Sequence, residues 1–289
     1  MAQLNFYIPV ATDLRAKNLT DLMSRSWFHL GKRKRTEPIR HIVGDQYVYV
    51  SAPNIYGIAN VYDGDLLIYG ISQLRHNLNM GLDFNPVINF AAADFYEFTG
   101  RRNSTKKISG ADYQRIYDSL RRLKATVLDT NIRPEHIRRG EVLNWLNSAS
   151  YSEDTTAKKH LGFSMELPRW ITEPIKKSKP DILTINPEYF KIESGIERFL
   201  YQFIRKSTGY RDADHGWFES LKNLHSKSGS SGTKEMFWHR LIKTLKQRDF
   251  KILEYHVSII QKGRERGLKF HRSPFFPKQR HLIEIEHAS

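Results

Sequence analysis

Basic side chains at residues 234–247 are the best candidates for chemistry in this sequence, and that chemistry is the binding of a polyanion. One face of the predicted helix is apolar, with Phe237, Trp238, Leu241, Ile242 and Leu245 at helical spacing. The opposite face carries Lys234, Arg240, Lys243, Thr244 and Gln247. Lys and Arg side chains that neutralise phosphates release condensed counterions, which favours binding to nucleic acid.

The elements around this helix are typical of a winged helix. Residues 218–225 have apolar positions at helical spacing, a Ser/Gly run then breaks the chain, and Thr233 is placed to cap the next helix. Residues 251–260 and 268–270 predict two strands joined by the charged loop QKGRERG. In a winged helix the second helix enters the major groove and the hairpin touches the flanking backbone. A solvated amphipathic helix and an ordinary charged turn are the alternative interpretation.

Catalytic motifs are missing from the sequence. A rolling-circle initiator needs a His-x-His metal pair and a nucleophilic tyrosine, and no His-x-His occurs among the 12 histidines. The segment GSSGTK has the wrong order and spacing for a phosphate-binding loop. Zero cysteines and the lack of an HExxH motif argue against zinc. We therefore expect a non-enzymatic protein with no cofactor and no metal.

Composition favours nucleic acid over a membrane as the partner. The 46 Lys and Arg residues exceed the 31 Asp and Glu residues, which gives a net charge of +15. No run of about 18 apolar residues occurs, so we expect no membrane span. The first residues lack the pattern of a secretory signal. These features predict a cytoplasmic protein associated with the nucleoid or with a plasmid.

The two halves of the sequence resemble each other. Residues 111–130 match residues 235–255 in apolar spacing, with Ile116 aligned to Leu241 and Leu120 to Leu245. In both halves the same order of strand, helix, helix, helix and strand is predicted. We expect an α+β fold of two winged-helix (helix-turn-helix) domains in tandem. The boundary falls in the Pro- and Lys-containing run TEPIKKSKP, giving domains at 1–178 and 179–289.

Local patterns predict the other elements. Strands are expected at residues 4–10 and 160–171, and a hairpin at 39–52 around Gly44-Asp45. Helices are expected at 19–28, 65–79, 88–99, 110–125 with Ser109 as its cap, and 134–147 in part, and a polar loop at 148–159.

The segments YGISQLRH, DFYEFTG and DYQRIYDSLRRLKATVLDTNI resemble the plasmid replication initiator protein A family, over most of the chain. The tandem arrangement is also similar to the wider group of iteron-binding plasmid Rep initiators. This resemblance implies sequence-specific binding of double-stranded repeats at a plasmid origin. It further implies origin melting with the host initiator ATPase, loading of the replicative helicase, and a homodimer that represses its own promoter.

The resemblance also implies which residues contact DNA. In the second domain these are Thr233, Lys234, Arg240, Lys243, Thr244 and Gln247 on the helix, with Lys262, Arg264, Arg266 and Lys269 on the wing. The equivalent surface of the first domain carries Arg101, Arg102, Lys106, Lys107, Gln114, Arg115 and Arg122. The first domain of such initiators often serves mainly for dimerisation.

Three other functions are compatible with parts of this pattern. A winged-helix transcriptional regulator without a replication role would bind a single palindrome instead of direct repeats. A nuclease or relaxase would cleave supercoiled DNA in the presence of a metal. A structural nucleoid or RNA-binding protein would bind without sequence preference.

Overall fold

The computed structural model shows a mixed α+β chain, described at residues 14–43, 45–102, 108–131, 140–156, 159–177, 181–208, 216–263, 265–272 and 284–286. The first part contains β1 Lys17–Leu19, α1 Thr20–Met23, β2 Ile39–Val43, β3 Gln46–Ser51, α2 Gly64–Asn79, β4 Val87–Phe90, α3 Ala92–Phe98, α4 Gly110–Ala125, β5 Val127–Thr130, β6 Glu141–Asn144, β7 Ser148–Asp154, β8 Lys159–Glu166 and α5 Arg169–Lys176.

The second part begins with β9 and a short 3-10 helix. Its elements are β9 Ile182–Thr184, the 3-10 helix Pro187–Lys191, α6 Gly195–Thr208, β10 Trp217–Ser220, α7 Leu221–Ser228, α8 Lys234–Gln247, β11 Lys251–Ile252, β12 Tyr255–Lys262, β13 Glu265–Arg272 and β14 Glu284–Glu286.

Side-chain caps fix the starts of helices α4 and α8. The hydroxyl of Ser109 accepts the backbone N–H of Asp112, and the Asp112 carboxylate accepts the backbone N–H of Ser109 at 2.9 Å. The hydroxyl of Thr233 accepts the backbone N–H of Met236 at 3.2 Å. Each cap satisfies a backbone donor that has no partner inside its helix. The predicted caps at Ser109 and Thr233 are therefore confirmed.

One topology occurs twice in the chain. The first unit, residues 64–166, contains α2, β4, α3, α4 and the β7–β8 hairpin, and its sheet has the order β4-β8-β7. The second unit, residues 195–272, contains α6, β10, α7, α8 and the β12–β13 hairpin, and its strands follow the order β10-β13-β12. In both units the first strand pairs antiparallel with the last.

Further strands join parts of the chain that are distant in sequence. In a four-stranded sheet of order β2-β3-β5-β6, β2 and β3 precede the first unit, whereas β5 and β6 lie within its range of residues. Strand β9, which follows the predicted boundary at residue 178, pairs antiparallel with β1 near the start of the chain. The backbone N–H of Thr20 also donates to the carbonyl of Asp181 at 2.9 Å. Segments on either side of the predicted boundary thus form one small sheet.

Two apolar clusters lie under the two units. Buried residues of the first include Leu120, Leu123 and Trp145, and those of the second include Phe237, Leu241 and Phe270. Two side chains of the first unit reach the second cluster: Ile68 is buried in it and Phe98 packs against it. The units therefore share apolar packing.

Several local predictions were wrong because strand pairing overrode short-range patterns. Residues 87–90 and 217–220 are strands instead of helix starts, since each pairs with the last strand of its hairpin. The expected polar loop at 148–159 contains strand β7, and residues 141–144 form strand β6 instead of a helix. Residues 169–176 form helix α5, so the expected strand does not extend to Ile171. Residues 172–176, at the predicted domain boundary, are likewise helical. The expected strand at residues 4–10 lies outside the described residues.

Candidate nucleic-acid interface

Helix α8 is held by one apolar face. Phe237, Leu241 and Leu245 are buried, and Trp238 and Ile242 pack partly buried against the same cluster. Because these positions follow helical spacing, the rest of the helix surface turns away from the protein. The predicted apolar face of this helix is confirmed.

The outward face of α8 presents cations without acidic partners. Arg240, Lys243 and Gln247 are exposed, and Met236 lies one turn before Arg240 with 49% of its surface exposed. Among the described residues, no carboxylate lies within ion-pair distance of Arg240 or Lys243. These two cations can therefore meet a phosphate or a base edge without first breaking a contact inside the protein.

Three residues of the α8 region that were predicted to contact DNA do not lie on this outward face. Lys234 is nine residues from Lys243, which is half a rotation of an α-helix, so the two point in opposite directions. Thr233 uses its hydroxyl as the helix cap, and Thr244 is partly buried. The prediction that Lys234 and Thr244 share one face with Arg240 is thus wrong in its geometry, while their contact with DNA stays a prediction.

The β12–β13 hairpin lies beside α8. The guanidinium of Arg266 sits over the Trp238 ring, 5.3 Å from its centroid. Arg266 lies two and four residues before the buried Leu268 and Phe270 in β13, so its side chain is on the same face of the sheet as theirs. This is the face that packs toward α8. Lys269 belongs to the opposite face. Lys262 is opposite Glu265 in the strand register, and Arg264 lies outside the described residues.

Helix α4 occupies the equivalent place in the first unit, but Arg115 and Arg122, its two cations predicted to contact DNA, are paired with carboxylates. Arg122 binds both carboxylate oxygens of the buried Asp63, at 2.7 and 2.8 Å. These hydrogen bonds raise the pKa of Arg122 despite its partial burial. Arg115 is 2.7 Å from Asp112, although its side chain is 73% exposed. Arg122 is thus engaged within the protein, and its predicted contact with DNA stays a prediction.

The other first-unit candidates are also engaged or lie outside the described residues. Arg101 forms an ion pair with the buried Asp65 at 2.5 Å. Arg102 is 3.9 Å from Glu97. Gln114 donates a hydrogen bond to the carboxylate of Asp118 at 2.8 Å. Lys106 and Lys107 lie outside the described residues. Arg101, Arg115 and Arg122 line a cleft of about 540 Å³ that is also lined by two aspartates.

The basic run at residues 32–35 is tied to the rest of the protein by two of its side chains. The Lys34 ammonium donates to the carbonyl of Ile55 at 2.9 Å. Arg35 donates to the carbonyl of Gly229 at 3.1 Å, in the turn just before α8. The first part of the chain therefore supports the turn from which α8 projects.

Two features of this surface were missed by sequence reasoning. Met236 shares the outward face of α8, and its spacing of four residues before Arg240 could have indicated this. The Arg266–Trp238 contact joins two elements distant in sequence, and no local pattern predicts it.

Metal-binding clusters and membrane-spanning helices are both absent from the described residues. No group of three or more His, Asp and Glu side chains among the described residues is arranged to hold a metal ion. Within those residues, no helix combines the length and apolar character needed to cross a membrane.

Comparison with known proteins identifies the family. The family model described as replication initiator protein A matches residues 17–257. The chain belongs to the replication initiator protein A family. A putative replication protein of Wigglesworthia glossinidia brevipalpis is 31% identical over 201 residues, which cover 68% of this chain and 69% of that protein. This membership confirms the resemblance seen in the sequence.

Solved structures resemble this family member in fold. A crystal structure of domains 2 and 3 of RctB superposes with a TM-score of 0.61 at 13% identity, covering 88% of this chain and 97% of that chain. A second structure of the same RctB domains gives a TM-score of 0.52 at 14% identity, covering 88% and 96%. At such low identity the likeness concerns the fold alone.

Proposed function

We propose that this replication initiator binds repeated duplex sites at a plasmid origin, with the second unit reading the sequence. The observation that carries the proposal is the unpaired cationic face of α8 beside the Arg266-bearing hairpin. The second unit would be a winged helix with α8 in the major groove. The first unit, with the same order of elements, would be a second winged helix.

Each contact has a defined role in this proposal. Arg240 would bind guanine through O6 and N7, because a guanidinium can donate two parallel hydrogen bonds to these acceptors. Lys243 and Gln247 would contact neighbouring bases or phosphates, and Met236 would contact an apolar thymine methyl group. Arg266 would bind backbone phosphate beside the groove.

The first unit would add contacts that carry no sequence information. Arg115 is the most exposed of its candidate cations and could reach flanking phosphates by leaving Asp112. Arg102 is a second candidate for such a contact. The net charge of +15 would support this component of binding, because phosphate neutralisation is independent of base sequence.

Later steps of initiation rest on family membership. Binding free energy would be used to bend or untwist the duplex, because additional protein contacts can offset the deformation. The host initiator ATPase and the replicative helicase would then be recruited, by a protein that is itself not an enzyme. A homodimer could also repress the initiator's own promoter. A transcriptional regulator without a replication role is the second candidate, since α8 would read a promoter in the same way.

Selection from a random pool of duplexes at physiological salt, followed by footprinting on the source replicon, tests the proposal. We expect one motif that recurs as direct repeats near an AT-rich segment. A single inverted repeat at a promoter would favour the regulator. Lack of any enriched motif, with binding that disappears as salt rises, would contradict sequence-specific recognition.

Salt titration separates the two faces of the hairpin sheet. Arg266→Ala should reduce the slope of log affinity against log salt by about 1, because one phosphate contact is lost. Lys269→Ala is the matched control, since Lys269 lies on the sheet face turned away from α8. An equal decrease in both variants would contradict the placement of the hairpin against DNA.

A further inference from the structure

A buried ion cluster joins the first helices of the two units. Asp65 in the first turn of α2 is fully buried, and one of its carboxylate oxygens accepts from Arg198 of α6 at 2.7 Å. Its other oxygen accepts from Arg101 at 2.5 Å. Asp65 and Arg101 belong to the first unit and Arg198 to the second, so this cluster links residues 133 positions apart.

Each side-chain nitrogen of Arg198 donates a hydrogen bond, one to Asp65 across the junction and two to carbonyl groups in its own part of the chain. Its Nε donates to the carbonyl of Ile192 at 2.7 Å and its Nη2 to that of Phe190 at 2.8 Å. The rings of Tyr62 and Tyr189 lie 4.6 and 5.0 Å from the guanidinium carbon. Burial lowers the pKa of Arg198, but the charge of Asp65 reverses this effect and the net shift is upward. Burial also raises the pKa of Tyr189 to about 12, so its phenol stays neutral.

The geometry of this cluster is directional, unlike the apolar packing around it. Phe98 of the first unit contacts Phe190 with ring centroids 5.1 Å apart. Such contacts are non-directional and tolerate small shifts between surfaces. A guanidinium with fixed carboxylate and carbonyl partners admits one arrangement, because any rotation leaves a buried charge without a partner.

We propose that Asp65 and Arg198 are positioning residues that hold the two units at one relative orientation. This inference rests on the proposed function, in which α8 reads bases while the first unit contacts flanking phosphates. The cluster then sets the distance along the duplex between the bases that α8 reads and the phosphates that the first unit contacts. Loss of the cluster leaves each unit folded but lets the first unit sample several orientations about the second.

The double variant Asp65→Leu/Arg198→Met tests the inference while leaving only Arg101, whose side chain is 33% exposed, without its carboxylate partner. Replacing both members of a buried pair by apolar residues is often neutral for stability, whereas removing one is not. The matched control is Glu197→Gln/Arg248→Gln. Glu197 is the neighbour of Arg198 and is also buried, but its partner Arg248, at 3.4 Å, belongs to the same unit.

Spin-label distances provide a readout that does not require DNA. The chain has no cysteine, so Lys124→Cys and Lys246→Cys place labels on exposed positions of α4 and α8 alone. We expect a narrow distance distribution in the otherwise unaltered protein and in the control, and a width about twofold larger in the double variant. An unchanged width in the double variant, with a normal unfolding transition, would overturn the inference.

Hydroxyl-radical footprinting on the selected duplex provides the second readout. In the double variant, the DNA segment that α8 contacts should stay protected. The flanking DNA segment that the first unit contacts should lose its sharply bounded protection. Retention of both protected segments at fixed separation would overturn the inference. Absence of any selected duplex would contradict the proposed function, while the distance measurement would still decide whether the cluster orients the units.

Discussion

Helices α4 and α8 occupy the same position in the two units, yet the cations predicted to contact DNA have different surroundings on the two helices. On α4, Arg115 and Arg122 are held by aspartates at 2.7 Å. On α8, Arg240 and Lys243 are exposed and have no such partner among the described residues. The two helices therefore share a fold position but differ in what their charges can do.

This difference separates structural arginines from recognition arginines. A guanidinium bound to a buried carboxylate must leave that charge unpaired before it can bind phosphate, which is unfavourable. An unpaired, exposed guanidinium has no such penalty. Equivalent positions in a duplicated fold therefore do not predict equivalent function, and the second unit is the better candidate for reading DNA.

The largest expected effect concerns stability in the first unit. Arg122→Ala leaves the buried carboxylate of Asp63 without its cation, which should lower the free energy of unfolding by about 3 kcal/mol. Urea denaturation measures this loss. DNA affinity at a temperature where the variant is folded should be nearly unchanged. A stable variant with weakened DNA binding would instead make Arg122 a recognition residue.

The second prediction concerns the DNA affinity of the second unit, which should fall while stability stays nearly constant. Arg240→Ala should weaken binding to the selected duplex by about 1–3 kcal/mol and relax the preference at one base pair, because a bidentate contact is lost. Titrations with the parent duplex and with single-base variants measure both changes. Stability should change little, since Arg240 is exposed.

Arg115→Ala is the matched control on α4. Its side chain is also exposed but is paired with Asp112, so its loss should leave the base preference intact and lower only the part of the affinity that does not depend on base sequence. An equal loss of base preference in both variants would show that the two helices read DNA alike.

A separate effect is a pH dependence of stability at the contact between the first part of the chain and α7. His41 of β2 is buried, with one ring nitrogen 3.1 Å from the carbonyl of Ser26 and the other facing the carbonyl of Ser226. Burial lowers the pKa of His41; these carbonyls oppose the shift, and Arg25 and Arg35 add to it.

A lowered pKa means that the unfolded chain binds the proton more readily. Stability should therefore fall as pH decreases below the ordinary histidine pKa of about 6.5, with a slope of at most about 1.4 kcal/mol per pH unit for this residue. Urea denaturation between pH 7 and pH 5 should show a shallower decrease for His41→Gln than for His239→Gln, which alters an exposed histidine of α8. Equal slopes would mean that His41 does not titrate differently on folding.

Much of the fold was predictable because its signals are local. Ser109 and Thr233 cap helices through neighbours three residues away, and the stripe Phe237, Leu241, Leu245 specifies which face of α8 is buried. Similar spacing of apolar residues in the two halves indicated the duplication. Strands β4 and β10 were missed, because their short sequences adopt the extended form only through pairing with a distant hairpin strand.

The sequence by itself determined the charge, the helix starts at Ser109 and Thr233, the similar apolar spacing of the two halves and the family. Only the tertiary structure decided which cations are available to a ligand. Asp63 and Arg122 are 59 positions apart, and Asp65 and Arg198 are 133 apart. Charge pairing depends on distance in space, whereas periodicity reports only on neighbours along the chain. For that reason Arg122 and Arg240 look alike in the sequence and differ in the folded protein.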